Sequence, residues 1–431
     1  MNIKFLYGRD EIALVVPDDS IVYKSKFPEP EKSDSELVTD SVRKPVGSKP
    51  LAELLKGRKG KVAVVVSDIT RPIPYSRFLL ELLHEIESAN IAKENIVIII
   101  ATGMHRPSTK QERLEMFGKD VVRNYRIIDH RAENEFGLVE LPGKSWSGSK
   151  VKINKVFAEA DFKIVTGLVE PHFMAGFSGG RKAVCPGLVS LETVKKFHGY
   201  EFLSSPLACN GNLKGNPCHL ESISIAKLAG VDFSVNVVLN NERQLVKAFS
   251  GGLEEAHAAA CKFVSGCSCQ KVEVEADIAV TSCGGYPLDA TFYQCVKGMV
   301  SCTPAVKKNG IIISFGSCVE GIGSPEYQAT MEKYSGRWQD FPREICAPGH
   351  FIKDQWQLQM QCRTLEKIGE TGLHFVTNGI DSKSLSKLSV NGSSTKKNEI
   401  EKTVRKIFES CLKNGMKVAV FPEGPYCAPR S

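Results

Sequence analysis

Val62-Ala-Val-Val-Val66 and Ile96-Val-Ile-Ile-Ile100 decide the fold. Neither run contains a polar position, so both faces of each strand are buried, as in the interior of a parallel sheet. Between them Phe78, Leu79, Leu82, Leu83 and Ile86 recur at helical spacing. Strand, amphipathic helix and strand make a βαβ unit with a right-handed crossover. Lys163-Ile-Val-Thr166 supplies a third strand, and Met1 to Gly8 reads as a first strand of the chain.

The pattern restarts downstream. Asp277 to Thr281 and Gly310 to Ser314 are strands, with mostly helical sequence from about Ala290 to Lys308. Phe375-Val-Thr377 precedes a helix bearing Ile400, Val404, Ile407, Phe408, Cys411 and Leu412 on one face, with Asn414-Gly415 as its cap, and Val418 to Phe421 returns to a sheet. The reading is α/β: two α/β domains with mainly parallel sheets and an active-site cleft between them. Their expected limits are residues 1–270 and 271–431, joined near Gly266 to Lys271. Phe27 to Pro50, rich in Pro, Ser and charge, reads as a long connection inside the first domain.

Composition narrows the function classes. Of 431 residues, 42% are hydrophobic and 24% charged, which excludes collagen-like and disordered classes. The formal charge of +7 is spread in local pairs, and its densest stretch, Lys56 to Lys61, reads as a solvated turn. With no basic stripe interleaved with aromatics, nucleic acid is not an expected partner. No run reaches the roughly 18 apolar residues of a membrane span, and no secretory apolar stretch is read, so the expected place is the cytoplasm, with no membrane partner. No pair among the fourteen cysteines is spaced C-x-x-C; most are expected as buried reduced thiols, with Cys267 and Cys269 in a linker.

Ligands of open parallel sheets bind beyond the carboxyl ends of the strands. After the three buried strands of the first domain come Ser67-Asp-Ile-Thr-Arg-Pro72, Ala101-Thr-Gly-Met-His-Arg-Pro107 and Gly167-Leu-Val-Glu-Pro-His-Phe173. Asp68 with Arg71, then His105, then His172 are thereby delivered to one rim, whereas His84, His130 and His257 read as caps or solvent contacts. Ala175-Gly-Phe-Ser-Gly-Gly-Arg-Lys-Ala183 follows. It is not a Walker A loop, yet its glycines let backbone approach a phosphate. Lys182 beside Arg181 is either an activated amine or, with it, one of two surface cations on a turn. Ser190 reads as the N-cap of a helix ending near His198. In the second domain Gln294 and Lys297 share a helix face, and Trp356 lies in a loop-like stretch.

Taken in order, Ser67–Pro72, Thr102–Pro107, Glu170–His172, Ser178–Lys182, His198, Tyr293–Lys297 and Pro422–Pro425 resemble the nickel-pincer lactate racemase family of 2-hydroxy-acid racemases and epimerases. Cys185 departs from the pattern, standing where an aliphatic residue is expected. The resemblance implies an isomerase whose cofactor is nickel held by a pyridinium-3-thioamide-5-thiocarboxylic acid mononucleotide, covalently linked to Lys182. It implies His198 as the protein's metal ligand and His105 and His172 as the paired acid/bases. Asp68, Ile69, Thr70, Arg71, Ser178 and Gly179 would line the cofactor, and Arg71, Gln294, Lys297 and Trp356 the substrate. Enzymes that build the pincer would be maturation partners.

The chemistry of the residues agrees with that assignment. Inverting a 2-hydroxy acid, lactate first among them, requires hydrogen to leave C2 and return on the opposite face. Reversible hydride transfer to an electron-poor pyridinium does this through a transient 2-keto acid. Two bases on opposite sides then serve the two enantiomers. A cation holds the carboxylate meanwhile, and closure of the cleft retains the intermediate. Two other readings use the same residues: a zinc-dependent hydrolase with His105, His172 and His198 as ligands, and a non-catalytic two-domain protein that binds a nucleotide or phosphate.

Overall fold

A computed structural model describes residues 1–71, 73–347 and 349–430. By its internal contacts the chain forms two compact units. The N-terminal unit comprises Phe27–Phe197 and Asn212–Cys267; the C-terminal unit comprises Met1–Lys26, His198–Gly211 and Ser268–Ser431. The chain therefore changes unit four times, and only the last change lies near the expected boundary at 270/271.

The N-terminal unit is built on β1 (Val62–Ser67), β2 (Ile96–Ala101), β3 (Arg126–Asp129), β4 (Phe162–Leu168), β5 (Phe233–Leu239) and β6 (Leu245–Gly251). Their spatial order is β6-β5-β4-β1-β2-β3. All neighbours are parallel except the edge pair β5–β6. The register Val62↔Ile96 runs through to Ser67↔Ala101, so β1 and β2 end side by side. Helices α1 (Asp34–Arg43), α2 (Leu79–Glu87), α3 (Lys110–Asn124), α4 (Leu191–Phe197), α5 (Pro217–Leu228) and α6 (Leu253–Ser268) complete the unit. Val62, Val64 and Val66 of β1 and Ile96, Ile98 and Ile100 of β2 pack against Leu79, Leu82, Leu83 and Ile86 of α2 in one core. Burying each such side chain stabilises the fold by roughly 1.5–3 kcal/mol.

The expected connection from Phe27 to Pro50 contains α1 instead. Ser33 and Glu36 form a reciprocal capping box, and Val38 and Val42 are buried. That pair of caps overrides the Pro/Ser-rich surroundings.

In the C-terminal unit β7 (Ala276–Ser282), β8 (Val306–Phe315), β9 (Leu373–Thr377), β10 (Asn391–Ser394) and β11 (Val418–Phe421) form a second parallel sheet. Its order is β10-β9-β8-β7-β11, and the two-residue strand Ile21–Val22 closes the edge beside β11. The N-terminal strand is half of a hairpin, Asn2–Tyr7 with Asp10–Val15. Phe5, Tyr7, Ile12 and Leu14 from it pack with Ile278, Val280 and Ile313 of this sheet. The first 26 residues therefore finish the core of the unit farthest from them in sequence.

Helices α7 (Phe292–Cys302), α8 (Gln355–Ile368) and α9 (Ile400–Cys411) flank the sheet. Trp356 stands in the first turn of α8, not in a loop. Residues 355–362 alternate glutamine with apolar side chains, a period of two that hides the helix. The helix accommodates this because Gln355, Gln357, Gln359 and Gln361 are all buried. Cys267 lies in the last turn of α6, and Cys269 opens a short strand paired with Ala428–Arg430, so neither lies in a linker. All fourteen cysteines are free and nine are buried. Among the described residues no helix is long and apolar enough to cross a membrane.

Candidate active site

At the end of β1, Asp68 is only 9% exposed. Its Oδ2 lies 2.6 Å from Nδ1 of His105, and its Oδ1 accepts a 2.6 Å bond from the Thr70 hydroxyl. Burial pushes the Asp68 carboxyl up, but His105, Thr70 and Arg71 together hold it below the usual carboxylate value. An ionised Asp68 accepts only, so Nδ1 of His105 carries the hydrogen and Nε2 keeps the lone pair. The His105 side chain is 55% exposed, leaving Nε2 accessible to a ligand. Pro72, the last residue of the first motif, lies outside the described residues. Ile69 is 38% exposed beside this pair in sequence.

The loop after β2 is fixed by its own backbone. His105 N donates to Thr102 O at 2.9 Å, and the Thr102 hydroxyl donates to His130 O at 2.6 Å. Gly103 takes φ +56° and donates to Gly187 O at 3.1 Å, which ties this loop to the segment after Lys182. His130 and His257, expected as caps or solvent contacts, are both buried instead.

His172 sits in a hairpin of Pro171–His172 with Gly176–Phe177. Its Nδ1 accepts the backbone N–H groups of Met174 at 3.3 Å and Ala175 at 3.2 Å. The neutral ring therefore carries its hydrogen on Nε2. The two histidines expected as a pair stand in opposite tautomers.

The loop bearing Lys182 is held closely to β4. The Ser178 hydroxyl donates to Leu168 O at 2.7 Å and accepts from Glu170 N at 3.0 Å. Gly179 has φ +77°, and a Cβ there would meet Val169 Cγ2 at 2.6 Å. The Gly180 amide donates to Asn236 Oδ1 of β5 at 2.9 Å. Lys182 is half-buried in the turn Gly180–Ala183 that follows.

Arg181 is no surface cation: its exposure is 0%. Its Nη2 donates to Ala175 O at 2.8 Å, and its Nη1 lies 2.8 Å from His257 Nε2. Desolvation lowers the guanidinium to about 10. Burial and the neighbouring Arg181 push His257 well below the ordinary imidazole value, so it is neutral. Cys185 is buried as well, which explains how a thiol replaces an aliphatic side chain there.

The other candidates, from His198 onward, belong to the C-terminal unit. Ser190 caps α4 through Thr193 N at 3.4 Å, and His198 follows the last residue of that helix. Its ring packs against Trp356 in a tilted pair, with centroids 4.5 Å apart and planes 34° apart. Trp356 Nε1 donates to the Tyr293 hydroxyl at 2.7 Å. Gln294 and Lys297 lie on α7, whose N-terminus Thr291 caps through Gln294 N at 3.3 Å. Gln294 Oε1 and Gln357 Oε1 are buried without a hydrogen-bond partner. Gln357 Nε2 donates to Tyr293 O.

The structure thus gathers Asp68, Thr70 and His105 into one cluster and His198, Trp356 and Tyr293 into another. Tyr293 was legible only as the neighbour of Gln294, because its bond to Trp356 joins residues 63 apart. Among the described residues no three His, Cys, Asp or Glu side chains are grouped to hold a metal ion, as the zinc-hydrolase reading requires.

Comparison with known proteins agrees along the whole chain. The family model for the lactate racemase N-terminal domain matches residues 7–211, and that for the lactate racemase C-terminal domain matches residues 271–426. The lactate racemase of Thermoanaerobacterium thermosaccharolyticum is 37% identical over 429 residues, 98% of each chain. That of Lactiplantibacillus plantarum is 37% identical over 334 residues, 77% of this chain and 78% of the relative. The solved lactate racemase apoprotein from T. thermosaccharolyticum matches with a TM-score of 0.90 at 36% identity, covering 100% of both chains. A Thermotoga maritima protein matches at TM-score 0.66 and 17% identity over 93% of this chain and 99% of its own, a likeness of fold alone.

Proposed function

This chain belongs to the lactate racemase family and is an isomerase, and from that premise we propose that it racemises a short 2-hydroxy acid, lactate first, with the nickel-pincer mononucleotide tethered to Lys182. A cofactor that brings its own sulfur and carbon donors asks the protein for one amine and one imidazole. The residues fit that demand. The amine is offered on a turn whose positive φ and crowding at Gly179 admit only glycine. The imidazole of His198 has its plane set by Trp356. Arg181 and the amide of Gly180 hold the turn from behind. When bound, the group supplies an electron-poor ring able to take hydride from C2 and return it.

The proton chemistry falls to the histidines, and the observation that carries the reading is the Asp68–His105 pair. Asp68 holds Nδ1–H of His105, so Nε2 takes the C2 hydroxyl proton while the carboxylate stabilises the imidazolium formed. His172 presents Nε2–H to the C2 oxygen from its hairpin. To accept a proton itself it must release the amides of Met174 and Ala175. Arg71 or Lys297 binds the carboxylate of the 2-keto acid and keeps it from leaving. We place maturation by pincer-building enzymes, and the reaction, in the cytoplasm.

The test is a chiral assay on a panel of 2-hydroxy acids with protein co-produced with the pincer-synthesis enzymes. Conversion of each lactate enantiomer into the other is expected, together with a mass increase on the intact chain that is lost in Lys182→Ala. Racemisation by protein carrying neither nickel nor the adduct would overturn the cofactor assignment. Conversion of a different 2-hydroxy acid, with lactate inert, would overturn the substrate alone.

A further inference from the structure

Helix α8 does more than carry Trp356. Trp356, Gln359 and Arg363 recur at i, i+3 and i+7 and so line one face of it. That face meets the segment His198–Gly211 along its length. Trp356 packs at a tilt against His198, Gln359 Nε2 donates to Tyr200 O at 3.4 Å, and Arg363 donates to Ala208 O at 2.7 Å and Pro206 O at 3.4 Å. At the far end Arg430 Nη2 donates to Gly211 O at 2.5 Å. Gly211 has φ +68°, and a Cβ there would lie 2.6 Å from the Arg430 guanidinium. Phe202, Leu203 and Ala208 are buried between these anchors.

Fourteen residues are thus removed from the unit that precedes and follows them in sequence and fastened by side chains to main-chain carbonyls. Such bonds tolerate any sequence in the segment but fix where its backbone runs. Three of them come from guanidinium groups, two from Arg363 and one from Arg430, and charge-assisted bonds are about twice as strong as neutral ones. His198 is the first residue of the fastened stretch. A ring at the edge of a mobile loop would lose its direction, whereas this one is set by its contact with Trp356 and by the backbone that Gln359 and Arg363 hold.

We infer that Gln359 and Arg363 are positioning residues that seat the His198 segment on α8 and thereby aim its imidazole at the metal. The inference rests on the reading of His198 as the nickel ligand. Their role is to act through the backbone carbonyls they bond.

Two measurements test it. In protein without cofactor, hydrogen exchange over residues 198–211 is followed in Arg363→Met, in Arg363→Lys and in Gln359→Leu/Arg363→Met. Losing the guanidinium bonds is expected to speed exchange there about tenfold or more, with the sheets unchanged and partial recovery in the lysine variant. In loaded protein, the nickel X-ray absorption signal of imidazole coordination is compared among wild type, the double variant and His198→Ala. The signal of the double variant is expected to move toward that of His198→Ala. Unchanged exchange in the double variant would overturn the seating. Faster exchange with a wild-type nickel signal, while His198→Ala loses it, would overturn the aiming and leave the family reading intact. A wild-type signal in His198→Ala would overturn the ligand assignment and the aiming together, with faster exchange then recording a seating of structural use only.

Discussion

Asp68→Asn isolates the feature on which the proton chemistry depends. The substitution keeps the size of the side chain but replaces the carboxylate that holds His105 Nδ1 at 2.6 Å. A hydrogen bond to an ionised partner is worth about 1.5–3 kcal/mol net, which is roughly 10- to 150-fold in rate. A second effect adds to the first. An amide can donate to Nδ1 and so reverse the tautomer, placing hydrogen where the lone pair is required. In a Ser-His-Asp enzyme that reversal costs about four orders of magnitude. We expect kcat to fall at least 30-fold in Asp68→Asn. Thr70→Val removes only a neutral donor to the same carboxylate, so about 2- to 10-fold is expected there. The assay is racemisation started from each enantiomer, normalised to the adduct-bearing fraction measured by intact mass, so that poor loading is not counted as poor catalysis. A fully loaded Asp68→Asn protein within threefold of wild type would refute the reasoning, since His105 would then need no orienting anion.

Three further outcomes concern other sites, and a fourth returns to Asp68. Arg181→Leu removes a buried cation that bonds Ala175 O and abuts His257; a loss of about 3 kcal/mol in urea unfolding is expected, and less than 1 kcal/mol would show that the loop does not depend on it. Gly179→Ala forces a Cβ toward Val169 at φ +77°, and is expected to leave the sheets folded while abolishing the mass adduct on Lys182. Burial lowers the His130 imidazole from 6.5 to about 4, so the unfolded chain binds the extra proton between those values. Its share of stability is therefore full above pH 6.5 and is lost as pH falls toward 4. Wild type should lose about 3 kcal/mol more than His130→Asn over that interval in denaturant titrations. Asp68, also depressed, loses stability in the same direction but in a lower window: its stabilisation persists until pH falls below its ordinary value of 3.8, so Asp68→Asn should flatten the acid limb of unfolding only there.

Much of this was legible in the chain. The apolar runs of β1 and β2 could only be inner strands, and the polar residues after them had to share a rim. The ordered motifs carried the family before any coordinate did. Other features were not legible for definite reasons. The helix α8 was hidden by its alternating glutamines, whose burial depends on partners such as Tyr293 O and Tyr200 O far away in sequence. Whether Arg181 was a surface cation stayed open in the sequence, because nothing there announces that three backbone carbonyls and an imidazole surround it. The tautomer of His172 was unreadable because two amides of its own turn decide it. The assignment of His198–Gly211 to the C-terminal unit rests on Arg363 and Arg430, more than 150 residues downstream.

The four crossings between units bear on how such a protein can be taken apart. Cutting the gene at codon 270 yields no pair of self-sufficient products. The upstream piece would carry a hairpin and a fourteen-residue splice with no sheet or helix to receive them, and the downstream piece would lack an edge strand. Reassortment of such halves among relatives must move three separate stretches of coding sequence together, so inheritance of the two units as one block is built into the threading of the backbone.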